Sequence, residues 1–204
     1  WRDGFKYTLH FEKGENIGGL KKEPTDRGRK TGSTFRWKPD LEVFTDINVP
    51  VDYYLDTMKR QAVVNAGVTF RFKNQVGSRF ETTDLRYDNG IQDYVSELVG
   101  EDALTQPVFW QTEVKLSVSF CFSNRVQVIE HYHNSSWLEY GGSPDKAVRS
   151  AFVSAIDGWL KGQNKYTKSE SKITFNDIQD ALVLVSNDFS TQTSYENQTK
   201  KAIN

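Results

Sequence analysis

The sequence holds a single cysteine, Cys121, in 204 residues. No intrachain disulfide and no thiolate-rich zinc site can therefore form, which makes a reducing compartment the default. Neither sign of charge is in excess: 26 Lys and Arg stand against 27 Asp and Glu, a net charge of −1. A free-standing nucleic-acid binder usually carries a clear basic surplus, so the balance argues against that class, although not against a local basic rim. No apolar run approaches the roughly 18 residues of a membrane span, and no hydrophobic segment of a signal peptide opens the chain. The expectation is a soluble, cytoplasmic protein without a membrane partner. An initiator methionine is missing too. The chain opens on Trp1 and reads as part of a longer protein.

What is present is ordinary globular composition, with 13% aromatic residues as its one surplus. Periodicity predicts strands over 5–14, 33–39, 67–73, 113–122, 125–133 and 183–190, and helices over 49–67, 89–100 and 143–162. Val114, Leu116, Val118, Phe120 and Phe122 alternate with polar or small residues, the pattern of a sheet with one buried face. The segment 125–133 is expected beside it as a hairpin partner, turning at Ser123-Asn124. In the last of the helices, Val148, Ala151, Phe152, Ala155, Ile156 and Trp159 form one stripe, with Ser143 as cap and Pro144 in the first turn. Thr174 and Asp177 form a capping box that opens a short helix to about Leu182. The class is α+β, a sheet covered by helices on one face.

Motifs of catalysis are weak. The run 28–34, "GRKTGST", has the wrong glycine spacing for a phosphate loop, and a strand rather than a helix follows Lys30. His131 and His133 share one face of a strand but lack a third ligand, so they read as sheet-surface histidines. Cys121 has no base partner and reads as a packed thiol. The aromatics of 108–113 read as core or interface. Arg149 lies on the flank of its helix's apolar stripe, where an arginine is usually solvated. An exposed tip with two lysines, "YENQTKKAIN" (195–204), is left without a structural reason.

Four longer segments carry a resemblance, in order and across nearly the whole chain. "DRGRKTGSTFRWKPDLEVF" (26–44) is similar to the segment opening the second domain of the bacterial DNA gyrase B protein and its topoisomerase IV counterpart. "LDTMKRQAVVNAGVTFRFKN" (55–74) resembles that domain's helix and following strand. "EYGGSPDKAVRSAFVSAIDGWL" (139–160) resembles the family's Glu-x-Gly-Gly-Thr-His segment and its helix. The closing stretch, 173–204, resembles a final helix and strand that end at a Gln-Thr-Lys loop.

The resemblance implies a single transducer domain over 1–204, from the ATPase subunit of a type IIA topoisomerase. Its expected fold is a βαβ sheet with a left-handed crossover, shared with a small-ribosomal-subunit protein and the GHMP kinases. A GHKL ATP-binding domain would precede it and a TOPRIM domain follow. By resemblance, Gln198, Thr199 and Lys200 reach the γ-phosphate of ATP held by the missing domain. Magnesium belongs to the parent enzyme and not to this segment. Arg149 aligns with an arginine lining the cavity for a transported, sequence-independent DNA segment. The implied partners are a second copy of the same protein and the gyrase A-type cleavage protein. The isolated segment is expected to be inactive. Pro144 replaces the usual histidine, so any role of that histidine is absent, and residues 78–111 match too loosely to carry a function. Two other readings stand beside this one: the equivalent domain of a mismatch-repair GHKL ATPase, and an interaction module without catalytic coupling.

Overall fold

The computed structural model describes residues 1–26, 28 and 31–203. Lys30 of the phosphate-loop motif lies outside the described residues. Two compact units divide the chain, Trp1–Pro50 and Val51–Asn204.

The first unit is built from short antiparallel pairs. Strand β1 (Phe5–Thr8) pairs with β4 (Lys21–Pro24), and between them β2 (Phe11–Glu12) pairs with β3 (Glu15–Asn16). The strand expected over 5–14 is thus broken at Leu9-His10. Residues 33–39 form no strand. Their apolar side chains are out in solvent, Phe35 84% and Trp37 72% exposed, because a β pattern becomes a strand only when a neighbour completes its hydrogen-bond ladder.

In the second unit, α1 (Val51–Val64) follows Pro50 and ends before Gly67, whose φ of 76° suits a chain reversal. Tyr54 stacks on Phe72 of the hairpin formed by β5 (Phe70–Val76) and β6 (Arg79–Leu85). Then come α2 (Ile91–Val99), β7 (Val108–Gln111), β8 (Ser117–Phe122), β9 (Val128–His133), β10 (Ser136–Trp137), α3 (Ser143–Gly162), α4 (Asn176–Gln179) and β11 (Leu182–Asp188). The five-stranded sheet runs β10-β9-β11-β8-β7 and is mixed, since β11 is antiparallel to β8 but parallel to β9.

The α+β class and the βαβ unit expected from the sequence are those observed. Three finer expectations are corrected. First, β9 is not the hairpin partner of β8, because β11 lies between them. Ser123 Oγ accepts hydrogen bonds from the amides of Arg125 and Val126, which steers the chain away from a tight reversal. Second, the strand expected over 113–122 starts at Ser117, since Thr112–Leu116 forms a turn with Lys115 at φ 60°. Third, helices cover both faces of the sheet. Val183, Val185, Cys121 and Tyr132 pack with Val63 of α1 and Ile91, Val95 and Val99 of α2. Leu182, Leu184, Phe120 and Ile129 pack with Val148, Phe152 and Ile156 of α3 and Ile178 of α4. Trp159, placed on the apolar stripe of α3 by its spacing, is 59% exposed.

Strand β11 therefore feeds two cores at once. We expect Leu184→Ala and Val185→Ala, both fully buried, each to lower the unfolding free energy in urea by about 2–4 kcal/mol. Phe80→Ala on the exposed hairpin should cost less than about 0.5 kcal/mol. An equal effect of all three would contradict the two-core arrangement.

Candidate functional site

The Gln198-Thr199-Lys200 turn and Arg149 are both organised by the start of α3, and the chemistry of that point begins with glycine. Gly142 precedes the helix at φ 122°, and a Cβ placed on it would lie 2.0 Å from the carbonyl oxygen of Ile203. Only the missing side chain lets the C-terminal segment approach so closely. Ile203 forms a parallel bridge with Gly142, and its carbonyl accepts the Ser143 amide at 3.2 Å. The first amides of a helix have no partner within it and must find one elsewhere. Here a backbone carbonyl from far downstream does the capping. Ser143 itself is the first helical residue and makes no side-chain cap, which corrects the expectation from sequence. Pro144 does sit in the first turn, where its missing N–H costs nothing.

Ile203 is the base of a small hairpin. Tyr195 bridges Ile203 antiparallel, and the Glu196 amide donates to the Ala202 carbonyl at 3.1 Å. Ala202 and Ile203 are buried. At the tip, Asn197 organises the turn: its carbonyl accepts the Lys200 amide at 3.2 Å, and its side-chain oxygen accepts the Thr199 hydroxyl at 2.8 Å. Lys200 takes a φ of 58°, uncommon for a residue with a Cβ. Gln198, Thr199 and Lys200 are all exposed, and the Lys200 ammonium lies 5.4 Å from the Tyr195 ring. Its neighbour is used differently. Lys201 Nζ pairs with Glu139 Oε2 at 2.5 Å, which raises its pKa, and its carbonyl accepts the Tyr140 amide. The tip thus exposes one ammonium with a carboxamide and a hydroxyl beside it, on a base locked to the fold.

The base is also fixed from the sheet. Asn134, at φ 48°, exchanges side-chain hydrogen bonds with the backbone of Ser190, clipping the chain as it leaves β11. His133 Nδ1 lies 2.5 Å from Asp188 Oδ2, and its Nε2 lies 2.7 Å from the Thr193 hydroxyl. The Tyr195 ring meets the His133 ring edge-on at 5.8 Å. His131 Nδ1 contacts Ser186 Oγ at 2.7 Å, and its Nε2 faces Asp145 Oδ1 at 3.5 Å. Both histidines are buried at 3% and 2% exposure, so the expectation of sheet-surface histidines is overturned: α3 and the hairpin cover that face. No group of three His, Cys, Asp or Glu that could hold a metal ion occurs among the described residues.

Arg149 lies two helical turns from Gly142. Its Nε donates to Asp145 Oδ2 at 2.7 Å, and its guanidinium sits 4.5 Å from the Phe175 ring. Asp145 therefore faces the buried His131 with one oxygen and holds Arg149 with the other. Sequence reasoning missed Asp145, Gly142, Tyr195 and His133 as parts of this arrangement. The spacing Asp145–Arg149 (i, i+4) was a readable signal. The contact of His133 with Thr193, 60 residues away, left none.

Gly142→Ala should detach the hairpin, with amide exchange at Ser143 and tryptic cleavage at Lys200 each rising at least about tenfold; unchanged rates would mean that the base is held elsewhere. A second outcome concerns pH. Burial pushes the His131 imidazole below its ordinary value of 6.5, against the opposing pull of Asp145 and Asp188. The unfolded chain then binds more protons at this ring than the folded one, so stability should fall as the pH drops through about 6.5 toward 5. In His131→Gln that part of the slope should vanish, as read by urea unfolding at several pH values.

A family model described as DNA gyrase B matches residues 90–204, more than half of the chain. The DNA gyrase B protein of Synechocystis sp. is 22% identical over 209 residues, covering 98% of this chain and 19% of that protein. The DNA topoisomerase 4 B protein of Rickettsia felis is 23% identical over 216 residues, covering 100% of this chain and 32% of that protein. The chain thus spans about a fifth to a third of the length of these curated relatives. The topoisomerase IV ATP-binding domain of Francisella tularensis, solved with a small-molecule inhibitor, matches with a TM-score of 0.77 at 21% identity, covering 100% of this chain and 56% of that one. That likeness speaks for the fold, and the family match speaks for descent: the chain belongs to the DNA gyrase B family of type IIA topoisomerases.

Proposed function

We propose that the chain, residues 1–204, is the transducer domain of an ATP-dependent type IIA topoisomerase, with Lys200 as its sensor of nucleotide state. The observation that carries the reading is the contrast at the tip. Lys200 is exposed on a strained turn while Lys201 is committed to Glu139, and the base is locked onto α3 through Ile203. An exposed lysine on an anchored base can meet an incoming anion without the rest of the unit yielding. Its ammonium is a compact charge on a flexible stem, suited to a phosphate that comes and goes.

On this reading a preceding GHKL domain holds the adenine and ribose of ATP, and magnesium is bound outside this chain. Gln198 and Thr199 offer a carboxamide and a hydroxyl beside the lysine. An ammonium and a phosphate charge about 4 Å apart at an effective dielectric of 20 attract by roughly 4 kcal/mol. Such a contact biases the orientation of the transducer against the ATP-binding domain. The rotated unit then closes the gate of the paired proteins on a DNA segment, which Arg149 meets through its phosphates. A TOPRIM domain and the A-type protein supply cleavage, and the enzyme works in the cytoplasm. Alone, the chain neither hydrolyses ATP nor cuts DNA.

In the full-length protein, Lys200→Ala should cut ATP hydrolysis at least about a hundredfold, or roughly 2.7 kcal/mol, while nucleotide affinity falls far less. Comparable positive groups in phosphoryl transfer contribute roughly 10³–10⁵ in rate. Lys201→Ala should affect stability more than turnover, because its partner is Glu139. A dispensable Lys200 with an essential Lys201 would overturn the assignment of the sensor.

A further inference from the structure

The two lysines of the tip differ in more than exposure. Lys201 Nζ is paired with a carboxylate, Glu139 Oε2, whereas the Lys200 ammonium lies over an aromatic ring, Tyr195, 5.4 Å from its centroid. Among the described residues no carboxylate pairs with Lys200. The distinction is chemical. A carboxylate holds an ammonium by cancelling its charge, and it competes with any phosphate that approaches. A ring face holds the ammonium through the π quadrupole and leaves the charge in place. With neither contact, a lysine spreads over its rotamers and must be ordered at the moment of use, at a cost in entropy.

The ring is itself fixed. Tyr195 bridges Ile203 at the hairpin base, its hydroxyl donates to the His133 carbonyl at 3.4 Å, and its ring meets the His133 ring at 74°. His133 is buried and held at both ring nitrogens, by Asp188 and by Thr193. Contacts therefore run from the end of β9, through one histidine, to the ring beneath Lys200. We propose that Tyr195 is a positioning residue of the nucleotide sensor: its ring holds the Lys200 ammonium in one orientation for the γ-phosphate and leaves its charge undiminished. The proposal rests on the reading of Lys200 as that sensor. Such a contact favours one side-chain position about two- to fivefold in open solvent, and about thirtyfold where water is excluded.

The test changes the ring's charge distribution and keeps its shape. In the full-length protein, Tyr195→Leu should lower kcat for ATP hydrolysis at least about threefold while KM for ATP moves less than about twofold. Tyr195→Phe, which keeps the ring face, should recover most of that loss. Tyr195→pentafluorophenylalanine, whose fluorines draw negative charge off the ring face, should turn over at least about threefold more slowly than Tyr195→Phe. The two variants should share one urea midpoint. Tyr140→pentafluorophenylalanine should leave the rate unchanged, because the lysine near that ring is paired with Glu139. If the fluorinated and plain rings at 195 turn over equally, Tyr195 only packs and the proposal falls, while a loss of about a hundredfold in Lys200→Ala would still keep the sensor. An equal loss from the substitution at Tyr140 would overturn the proposal as well. A dispensable Lys200 would remove the sensor and its positioning residue together.

Discussion

The position of β11 between β8 and β9 is the constraint on which the larger unit depends. Because β11 runs parallel to β9, the connection between them must cross one face of the sheet, and α3 is that crossover. Once α3 occupies one face, α1 and α2 can cover only the other. Strand β11 is then buried on both sides, which is why Leu182, Val183, Leu184 and Val185 are apolar in an unbroken run and not in alternation. The same pairing decides where the chain emerges. Asp188 ends opposite His133, and from there the hairpin lies against the start of α3.

Helix α3 thereby becomes the common frame of both candidate sites. Its first amide is satisfied by Ile203, at the base of the lysine tip, and its second turn carries Arg149. The seven residue steps from Gly142 to Arg149 span about 10 Å of helix. Over that length a hydrogen-bonded helix is stiff, so on the proposed reading a force on the hairpin base would reach the arginine as displacement of one body. Asp145 ties that body to the sheet as well, facing His131 across the buried layer. The layer is polar where hydrophobic packing would be more stable, and a polar contact specifies one register in a way that aliphatic contacts do not. A slip of α3 by one turn would carry Asp145 away from His131 and bring Arg149, a like charge to any imidazolium, into its place.

Local signals along the chain revealed local structure. The amphipathic stripes of α1 and α2 and the proline in the first turn of α3 lie where their spacing puts them; of the Thr174–Asp177 box only half is present, the Asp177 carboxylate accepting the Thr174 amide, and α4 is capped at Phe175 and ends at Gln179. What failed was adjacency. The alternation from Val114 to Phe122 implied one solvated face, because Ser119 and Cys121 look polar or small; both are fully buried. The hairpin of β8 with β9 was the default for neighbouring strands, and only a contact 55 residues apart, His131 with Ser186, displays the inserted strand. The same holds for the tip. Its Gln-Thr-Lys composition was legible, whereas the anchoring at Gly142 was written as an absence, a glycine whose missing Cβ makes room for a carbonyl.

An exposed lysine is by itself a poor anchor, since ion pairs in open solvent contribute about 0–1 kcal/mol. The proposed sensor therefore gains its strength only when another domain closes over it and excludes water, which makes the contact conditional on domain apposition. With about 4 kcal/mol at an effective dielectric of 20, one lysine would change a two-state equilibrium nearly a thousandfold. A complete reversal from 1:99 to 99:1 needs about 5.5 kcal/mol. The shortfall of about 1.5 kcal/mol is the size of one hydrogen bond to a charged group, and Gln198 is the neighbouring side chain able to donate it. On the proposed reading, lysine with glutamine would together reach a coupling of this size, and Asn197 holds the turn that carries both by accepting from the Lys200 amide and the Thr199 hydroxyl.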